Sequence, residues 1–406
     1  MEFDILLVYI LTYFGLFISI FFLLTLFENK NEKRKALPKE LPKVSIIVPA
    51  YNEENNLNRT INSLLELDYP KEKLEIIIVN DGSTDNTLKI AKSFIPYGVK
   101  IYTKKNGGKG KALNYGLKRV TGTLVGCLDA DSFVEKESLK KIIPYFYDKN
   151  IMAVTPALKV DKPKNFFQRI QMIEYFIGIF LRKIFSYLNS IHVTPGPFTI
   201  YRKEFFDRYG GYAEHNLTED IEIALRIQKN GYRIENSTNA VVYTNVPLTF
   251  KDLLKQRLRW YTGFIENVSD YKELFSIKHG NLGIFILPAA FISILLVIIS
   301  MFYFGYRFFS DLIQNYINLK SIDFDFLRLV DFDISRIYIN LNAAMILSLL
   351  TFFSGLIILF ITKRMIKERT KLSFSYVLYI FFYWFLFGFW WFLAIIYKVL
   401  KRKVAW

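Results

Sequence analysis

The sequence predicts a Rossmann-like α/β domain with a mostly parallel sheet, carried on a helical membrane-spanning region. Three observations lead there. Of 406 residues, 52% are hydrophobic and 17% aromatic, with 39 Phe, well above an ordinary soluble chain. Four long stretches carry no charged residue: 5–27, 281–306, 337–362 and 372–397. Between the first two, short apolar runs alternate with amphipathic helical patterns.

Each uncharged stretch exceeds the ~20 residues that cross ~30 Å of hydrocarbon. The first follows Glu2 and Asp4 rather than basic residues, and no small-residue cleavage site succeeds it. An uncleaved span is therefore expected instead of a signal peptide. Segment 28–43 carries six Lys/Arg and reads as a basic cytoplasmic linker under the positive-inside rule. Loop 307–336, with four Lys/Arg against five Asp, belongs outside, and loop 363–371, with five Lys/Arg, inside. Four spans would then leave Lys398, Lys401, Arg402 and Lys403 outside, against the rule, so 372–397 is either a span or re-entrant. The expected location is the cell membrane, with the soluble domain in the cytoplasm.

The formal charge is +16. Much of it falls in juxtamembrane loops, where it suits anionic headgroups. Membrane lipid is thus an expected partner. Nucleic acid is not, because no recognition motif accompanies the charge. Homo-oligomerisation stays open. The lone cysteine, Cys127, excludes an internal disulfide framework and any paired-cysteine zinc site. Three scattered histidines argue against a His-built metal centre.

Within 44–247, runs at 44–48, 75–79, 99–102 and 123–128 read as strands, and 53–67, 85–94 and 109–120 as helices. Such alternation implies a parallel sheet covered on both faces, with ligands beyond the carboxyl ends of its strands. Pro49-Ala50-Tyr51-Asn52-Glu53, Asn80-Asp81-Gly82-Ser83 and Asp129-Ala130-Asp131 all fall at such ends. Each has a plain alternative. Asp81-Gly82 suits a turn before a helix. Gly107-Gly108-Lys109-Gly110 suits a glycine turn, or a helix start whose N–H groups and Lys109 face a diphosphate. Asp129 and Asp131 suit a surface turn, or a pair of oxygen ligands for a hard divalent cation.

Thr218-Glu219-Asp220 opens a helical pattern. Its acids are ordinary dipole partners, with Asn216 and Glu219 as a capping pair, or Asp220 projects into a cleft as a base. Residues 165–190 read as an interfacial helix, because Arg169, Glu174, Arg182 and Lys183 interrupt any spanning run. In 248–280, helical spacing sets Leu254, Leu258, Tyr261 and Ile265 on one face and Gln256, Arg259 and Trp260 on the other. The second face is either an interfacial anchor or a set of phosphate and sugar contacts.

Taken together, these segments resemble the membrane-integrated family 2 glycosyltransferases, above all the inverting poly-N-acetylglucosamine, chitin, hyaluronan and cellulose synthases. The resemblance rests on VSIIVPAYNEE (44–54), VNDGSTD (79–85), NGGKGKALN (106–114), DAD (129–131), QMIEY (171–175), GGY (210–212), TED (218–220), GYR (231–233) and QRLRW (256–260). It covers roughly 44–272. It implies a GT-A fold and transfer of a hexose or N-acetylhexosamine from a UDP-sugar to a growing polysaccharide.

The implied donor set is Pro49, Ala50, Tyr51, Glu53, Asp81, Gly108, Lys109, Asp129 and Arg257. Tyr51, Glu53 and Asp81 would hold the uridine, and Lys109 would lie near the ribose and diphosphate. Asp129 and Asp131 would place Mg²⁺ or Mn²⁺, and Asp220 would be the base. Glu219, Gln256, Arg259 and Trp260 form the implied acceptor set, with Arg257 and Arg259 clamping the leaving diphosphate. Asn80 replaces a frequent second Asp, and Thr194-Pro195-Gly196-Pro197 replaces a Ser-Gly-Ala-like stretch. Two rivals remain: a single-addition enzyme acting on a ceramide, diacylglycerol or polyprenyl-phosphate lipid, and a nucleotide-regulated transporter.

Overall fold

The computed structural model describes residues 3–30, 36–321, 342–368 and 374–402. Parts of the basic linker and of the loops expected on either side of the membrane lie outside these residues, as do the first residues of the third and fourth uncharged stretches.

The chain opens with α1 (Phe3–Glu28) and enters the sheet at β1 (Val44–Ala50). There follow α2 (Leu57–Leu65), β2 (Leu74–Asn80), α3 (Thr87–Lys92), β3 (Lys100–Thr103), α4 (Lys109–Leu117) and β4 (Leu124–Cys127). This half is parallel throughout: β1 pairs with both β2 and β4, and β2 with β3. Helix α2 starts later than the apolar spacing suggests. The backbone N–H groups of Glu53 and Glu54 are taken by the Thr87 hydroxyl and the Asp85 carboxylate, which hold 51–56 as a turn.

The second half contributes β5 (Ser132–Val134), α5 (Ser138–Ile142), β6 (Ile151–Val160), α6 (Phe166–Tyr187), β7 (Thr199–Arg202), α7 (Lys203–Tyr209), α8 (Glu219–Lys229) and β8 (Arg233–Thr244). Strand order is β3-β2-β1-β4-β7-β6-β8-β5, with β7 antiparallel to β4 and β6, and β5 antiparallel to β8. One face packs Leu57, Ile61, Leu64 and Leu139 against the strands. The other packs Ala112, Leu113, Phe205, Ile223 and Ile227. The result is a mixed, mostly parallel sheet between two helical layers, as expected.

Helix α9 (Phe250–Asp270) leads through short turns and a π-helical segment, Leu282–Ile286, into α10 (Leu287–Ser321). Helices α11 (Ala343–Met365) and α12 (Phe374–Val399) complete the chain. Among the described residues three helices are long and apolar enough to cross a membrane: Phe3–Glu28, Leu282–Ser321 and Ala343–Met365. The described apolar stretch of α12 is Tyr383–Val399. The second of the three has 40 residues, about 60 Å at 1.5 Å per residue, so it runs well past the uncharged stretch ending at 306.

Helix α6 lies between the sheet and the apolar helices. Met172, Ile173 and Phe176 meet Ala157 and Val160 of β6 and Leu359 of α11 in one cluster. Helix α9 joins the same assembly through Tyr261, stacked on Trp391 at 4.4 Å. Two ion pairs tie the domain down: Lys159 of β6 with Glu368 beyond α11, and Glu266 of α9 with Lys398 of α12.

Gly263 sets the approach of α9 to α8. A Cβ there would lie 2.3 Å from the Thr218 hydroxyl oxygen and 2.7 Å from its Cγ2. Gly263→Leu should therefore destabilise the folded protein by about 1–3 kcal/mol through overpacking. Equilibrium unfolding in detergent measures this; unchanged stability would mean that the crossing is looser than the contacts indicate.

Candidate active site

The carboxyl end of β4 delivers Asp129 and Asp131, and the N-terminus of α8 delivers Glu219 and Asp220. Lys109, the first residue of α4, reaches between them. Its Nζ lies 2.7 Å from Asp129 Oδ1 and 3.0 Å from Glu219 Oε1. Burial by itself lowers the Lys109 pKa, but Asp129 and Glu219 override it and hold the ammonium well above its usual range. One cation thus bridges acids from the two halves of the fold.

The other two acids are less well compensated. Burial, with Asp129 and Glu53 nearby, pushes the Asp131 carboxyl up to about 7. Burial and Glu219 push Asp220 up to about 7, against the opposing pull of Lys109 and Arg259. Asp220 Oδ1 accepts the N–H of Ile221, and its backbone carbonyl accepts both the N–H and the hydroxyl of Thr194. The side chain is therefore fixed at the helix start. Burial also raises Glu53, opposed by its bond from Asn56 and assisted by Asp129 and Asp85.

The expected Asn216–Glu219 capping pair does not form. Glu219 is engaged by Lys109, and Asn216 instead exchanges amide hydrogen bonds with Asn267 of α9 while accepting the N–H of Thr218. Asn267 also donates to the Thr218 hydroxyl and carbonyl, locking the start of α8 to α9.

Asp81, at the end of β2, is buried and accepts the N–H groups of Gly107 and Gly108 together with the Lys104 ammonium. It shapes the glycine loop that opens α4. Pro49 and Ala50 close β1, and Tyr51 beside them is half exposed.

A cavity of about 710 Å³ gathers Lys109, Asp129, Asp131, Glu219, Asp220, Gln256, Arg259 and Trp260. The helical spacing of 248–280 thus groups Gln256, Arg259 and Trp260, but Tyr261, which it sets on the opposite face, lines the same cavity. Pro49, Ala50, Tyr51, Glu53, Asp81, Gly108 and Arg257 do not line it. Arg257 in particular is fully buried between α9 and α6. It pairs with Glu174 at 2.5 Å, lies 4.2 Å over the Trp260 ring and donates to Gln256. It supports the cavity wall from behind.

From the acids the cavity continues to Ile18 and Phe22 of α1, Ala289 and Ile294 of α10, and Phe387 and Trp391 of α12. Sequence reasoning did not single out Glu174, Arg182 or His192 for this lining. Arg182 showed only as an interruption of an apolar run, and Glu174 as that and as part of the QMIEY motif (171–175). Among the described residues no group of three or more His, Cys, Asp or Glu is placed to hold a metal ion. A pair such as Asp129 and Asp131 suits a hard cation that takes its remaining oxygens from phosphate and water, and the raised Asp131 carboxyl marks an acid cluster short of positive charge.

Because Arg257 and Glu174 are packed together, Arg257→Met strands the carboxylate. It should cost about 3 kcal/mol, the low end for a broken buried pair, since Glu174 keeps some exposure. The double variant Arg257→Met/Glu174→Leu should recover most of that loss in the same unfolding assay. No recovery would mean that the pair is not what stabilises the contact.

Residues 45–210 match the profile of Glycosyl transferase family 2. The chain is 32% identical over 282 residues to a poly-beta-1,6-N-acetyl-D-glucosamine synthase of Staphylococcus aureus, covering 68% of this chain and 67% of that protein. It is 29% identical over 405 residues to the probable glycosyltransferase YdaM of Bacillus subtilis, covering 94% and 89%. In fold it is similar, with a TM-score of 0.61 at 18% identity, to the mannosyltransferase PcManGT from Pyrobaculum calidifontis, solved in complex with GDP-Man and Mn²⁺; 98% of this chain and 99% of that one are covered. A GT-A-like sheet, the matched profile and relatedness across two thirds of a synthase agree, and the chain belongs to glycosyl transferase family 2.

Proposed function

We propose that this glycosyltransferase is an integral membrane enzyme that transfers a hexose or N-acetylhexosamine from a UDP-sugar, with inversion, to a growing polysaccharide at the membrane. The observation that carries the reading is the convergence of Asp129, Asp131, Lys109 and Asp220 on one cavity at the carboxyl ends of parallel strands. Asp129 and Asp131 would hold Mg²⁺ or Mn²⁺, which when bound stabilises charge on the departing diphosphate. Lys109, already paired to Asp129, and Arg259 add positive charge beside the same position.

Asp220 serves as the base. Its carboxylate takes the proton of the acceptor hydroxyl as that oxygen attacks the anomeric carbon. One base suffices, because a single attack opposite the leaving group inverts the centre. Trp260 offers a flat apolar surface for an acceptor sugar. Tyr51, Glu53 and Asp81 remain the proposed uridine side, with Asp81 acting through the glycine loop it orders.

A second reading concerns the acceptor. The inner half of the cavity is lined by Ile18, Phe22, Ala289, Ile294, Phe387 and Trp391, which suits an acceptor with an apolar chain, as in single addition to a glycolipid. Mass analysis of the products made by purified enzyme from several radiolabelled UDP-sugars decides between a polymer and a single-sugar lipid.

Chelation with EDTA should abolish turnover, with Mg²⁺ or Mn²⁺ restoring it, and Asp131→Asn should be inactive at any metal concentration. Full activity in metal-free buffer would refute the cation site. Asp220 is active only when ionised, so kcat/KM should rise with pH and level off above about 7, or lower once a cation offsets the cluster. Asp220→Asn should lose that limb and fall ~10²- to 10⁴-fold in rate, with UDP-sugar affinity shifted by less than ~1 kcal/mol. Near-normal rates would remove Asp220 from the chemistry.

The proposed orientation puts the catalytic domain in the cytoplasm. In a Cys127→Ala background, cysteine at exposed Lys39 should resist an impermeant thiol reagent in intact cells, and cysteine at exposed Asn318 should react. Reversed labelling would invert the topology.

A further inference from the structure

Arg182 sits two turns beyond Glu174 on α6 and lines the same cavity. Glu174 is already taken by Arg257, Asp129 and Glu219 by Lys109, and neither Asp131 nor Asp220 exerts a pull on the guanidinium. Its Nε is buried and finds no hydrogen-bond partner among the described residues. Burial draws the guanidinium pKa down to about 10, with only the Tyr175 phenol acting against it, so the group stays charged at neutral pH. A desolvated cation without a counter-ion is unfavourable, and a guanidinium offers five donors in a fork suited to phosphate.

The helix is shaped to leave that fork clear. Gly178, one turn earlier, lies under the guanidinium, and a Cβ at that position would be 3.3 Å from Nη1. Beside it, His192 packs against Phe185 at 5.3 Å and Phe264 at 6.1 Å, and burial lowers its pKa, so it adds no positive charge. Arg182 is therefore a cation with no carboxylate acting on it, on the wall of a pocket that runs from the acids into α1, α10 and α12.

We propose that this inner half binds an acceptor lipid through its phosphate, which seats on Arg182 while the apolar chain lies between α1, α10 and α12. The proposal rests on the glycolipid reading of the acceptor given above. A neutral glycan would satisfy hydrogen bonds but leave the charge uncompensated. A diphosphate donor has its own positive charge at Lys109 and Arg259. An amphiphile carrying phosphate matches both the unpaired guanidinium and the apolar wall, and it presents its head on the side of Asp220.

The test uses full-length enzyme in a neutral detergent, with farnesyl phosphate, farnesol and inorganic phosphate as probes. Binding is read from the fluorescence of the cavity tryptophans, Trp260 and Trp391. Wild type should bind farnesyl phosphate at least ~10-fold more tightly than farnesol, as expected for a charge-assisted hydrogen-bonded contact. Arg182→Gln should bring the two affinities together without altering UDP binding, and Arg182→Lys should keep part of the preference. Gly178→Ala, which crowds the guanidinium, should weaken the phosphate preference in the same direction.

Equal wild-type affinity for phosphate and alcohol would overturn the proposal, and that comparison needs no variant. So would a full preference retained in Arg182→Gln. Inorganic phosphate competing as strongly as farnesyl phosphate would assign the site to a free anion and overturn the lipid source. Loss of UDP binding by wild type would instead sink the glycosyl-transfer reading, while the phosphate-to-alcohol ratio would still report on Arg182.

Discussion

Four acids converge where β4 ends and α8 begins, and one partly buried ammonium, bridging two of them, offsets part of their charge. Lys109 spans Asp129 and Glu219, and without it four carboxylates would face one another in a site largely cut off from water. Much of the local architecture places this one cation. Asp81 draws in the N–H groups of Gly107 and Gly108, which sets the start of α4 and hence the root of the Lys109 side chain. Thr194 holds the backbone of Asp220, and Asn267 holds Thr218, so the acids of α8 arrive at a fixed height above the strand ends. The compensation is incomplete, and the two acids left over, Asp131 and Asp220, are the ones whose ionisation is pushed toward neutrality.

The same cavity belongs to two environments. Its outer part is built from the sheet, its inner part from helices long and apolar enough for a membrane. Helices α6 and α9 are shared by both. Arg257 on α9 is a buried charge that would be costly alone, and it is satisfied by the partly buried Glu174 on α6, which fixes how the two helices meet. Trp260, under the Arg257 guanidinium, and Gln256, bonded to it, take their positions from that pair. Arg257 therefore shapes the Trp260 side of the cavity without lining it.

The family assignment and this geometry have different reach. Relatedness to a poly-N-acetylglucosamine synthase bears on glycosyl transfer, which is a property of the strand ends. The acceptor is a question about the inner cavity, with its apolar walls and Arg182. The proposed base, Asp220 on α8, and the proposed acceptor contacts on α6 and α9 sit on different elements, so a common transfer site can serve acceptors of different chemistry.

Local signals carried far in this chain. The apolar runs at 44–48, 75–79 and 123–128 became parallel strands, because continuous β-branched stretches tolerate burial on both faces. Of the motifs at strand ends, Asp129-Ala130-Asp131 fell on the cavity, and helical periodicity was enough to group Gln256, Arg259 and Trp260. Charge-free length likewise marked the three long apolar helices. Pairing across distance was not legible. Glu219 reads locally as a capping partner for Asn216, yet it turned to Lys109, an attraction between residues 110 positions apart in the chain that no local rule contains. Arg257 lies beside Arg259 in sequence but a helical turn of about 200° separates two residues two apart, and only the presence of Glu174 on a neighbouring helix decided which arginine is buried. Arg182 is the clearest case: in the sequence it merely breaks an apolar run, and that no carboxylate acts on it is decided only when the helices pack.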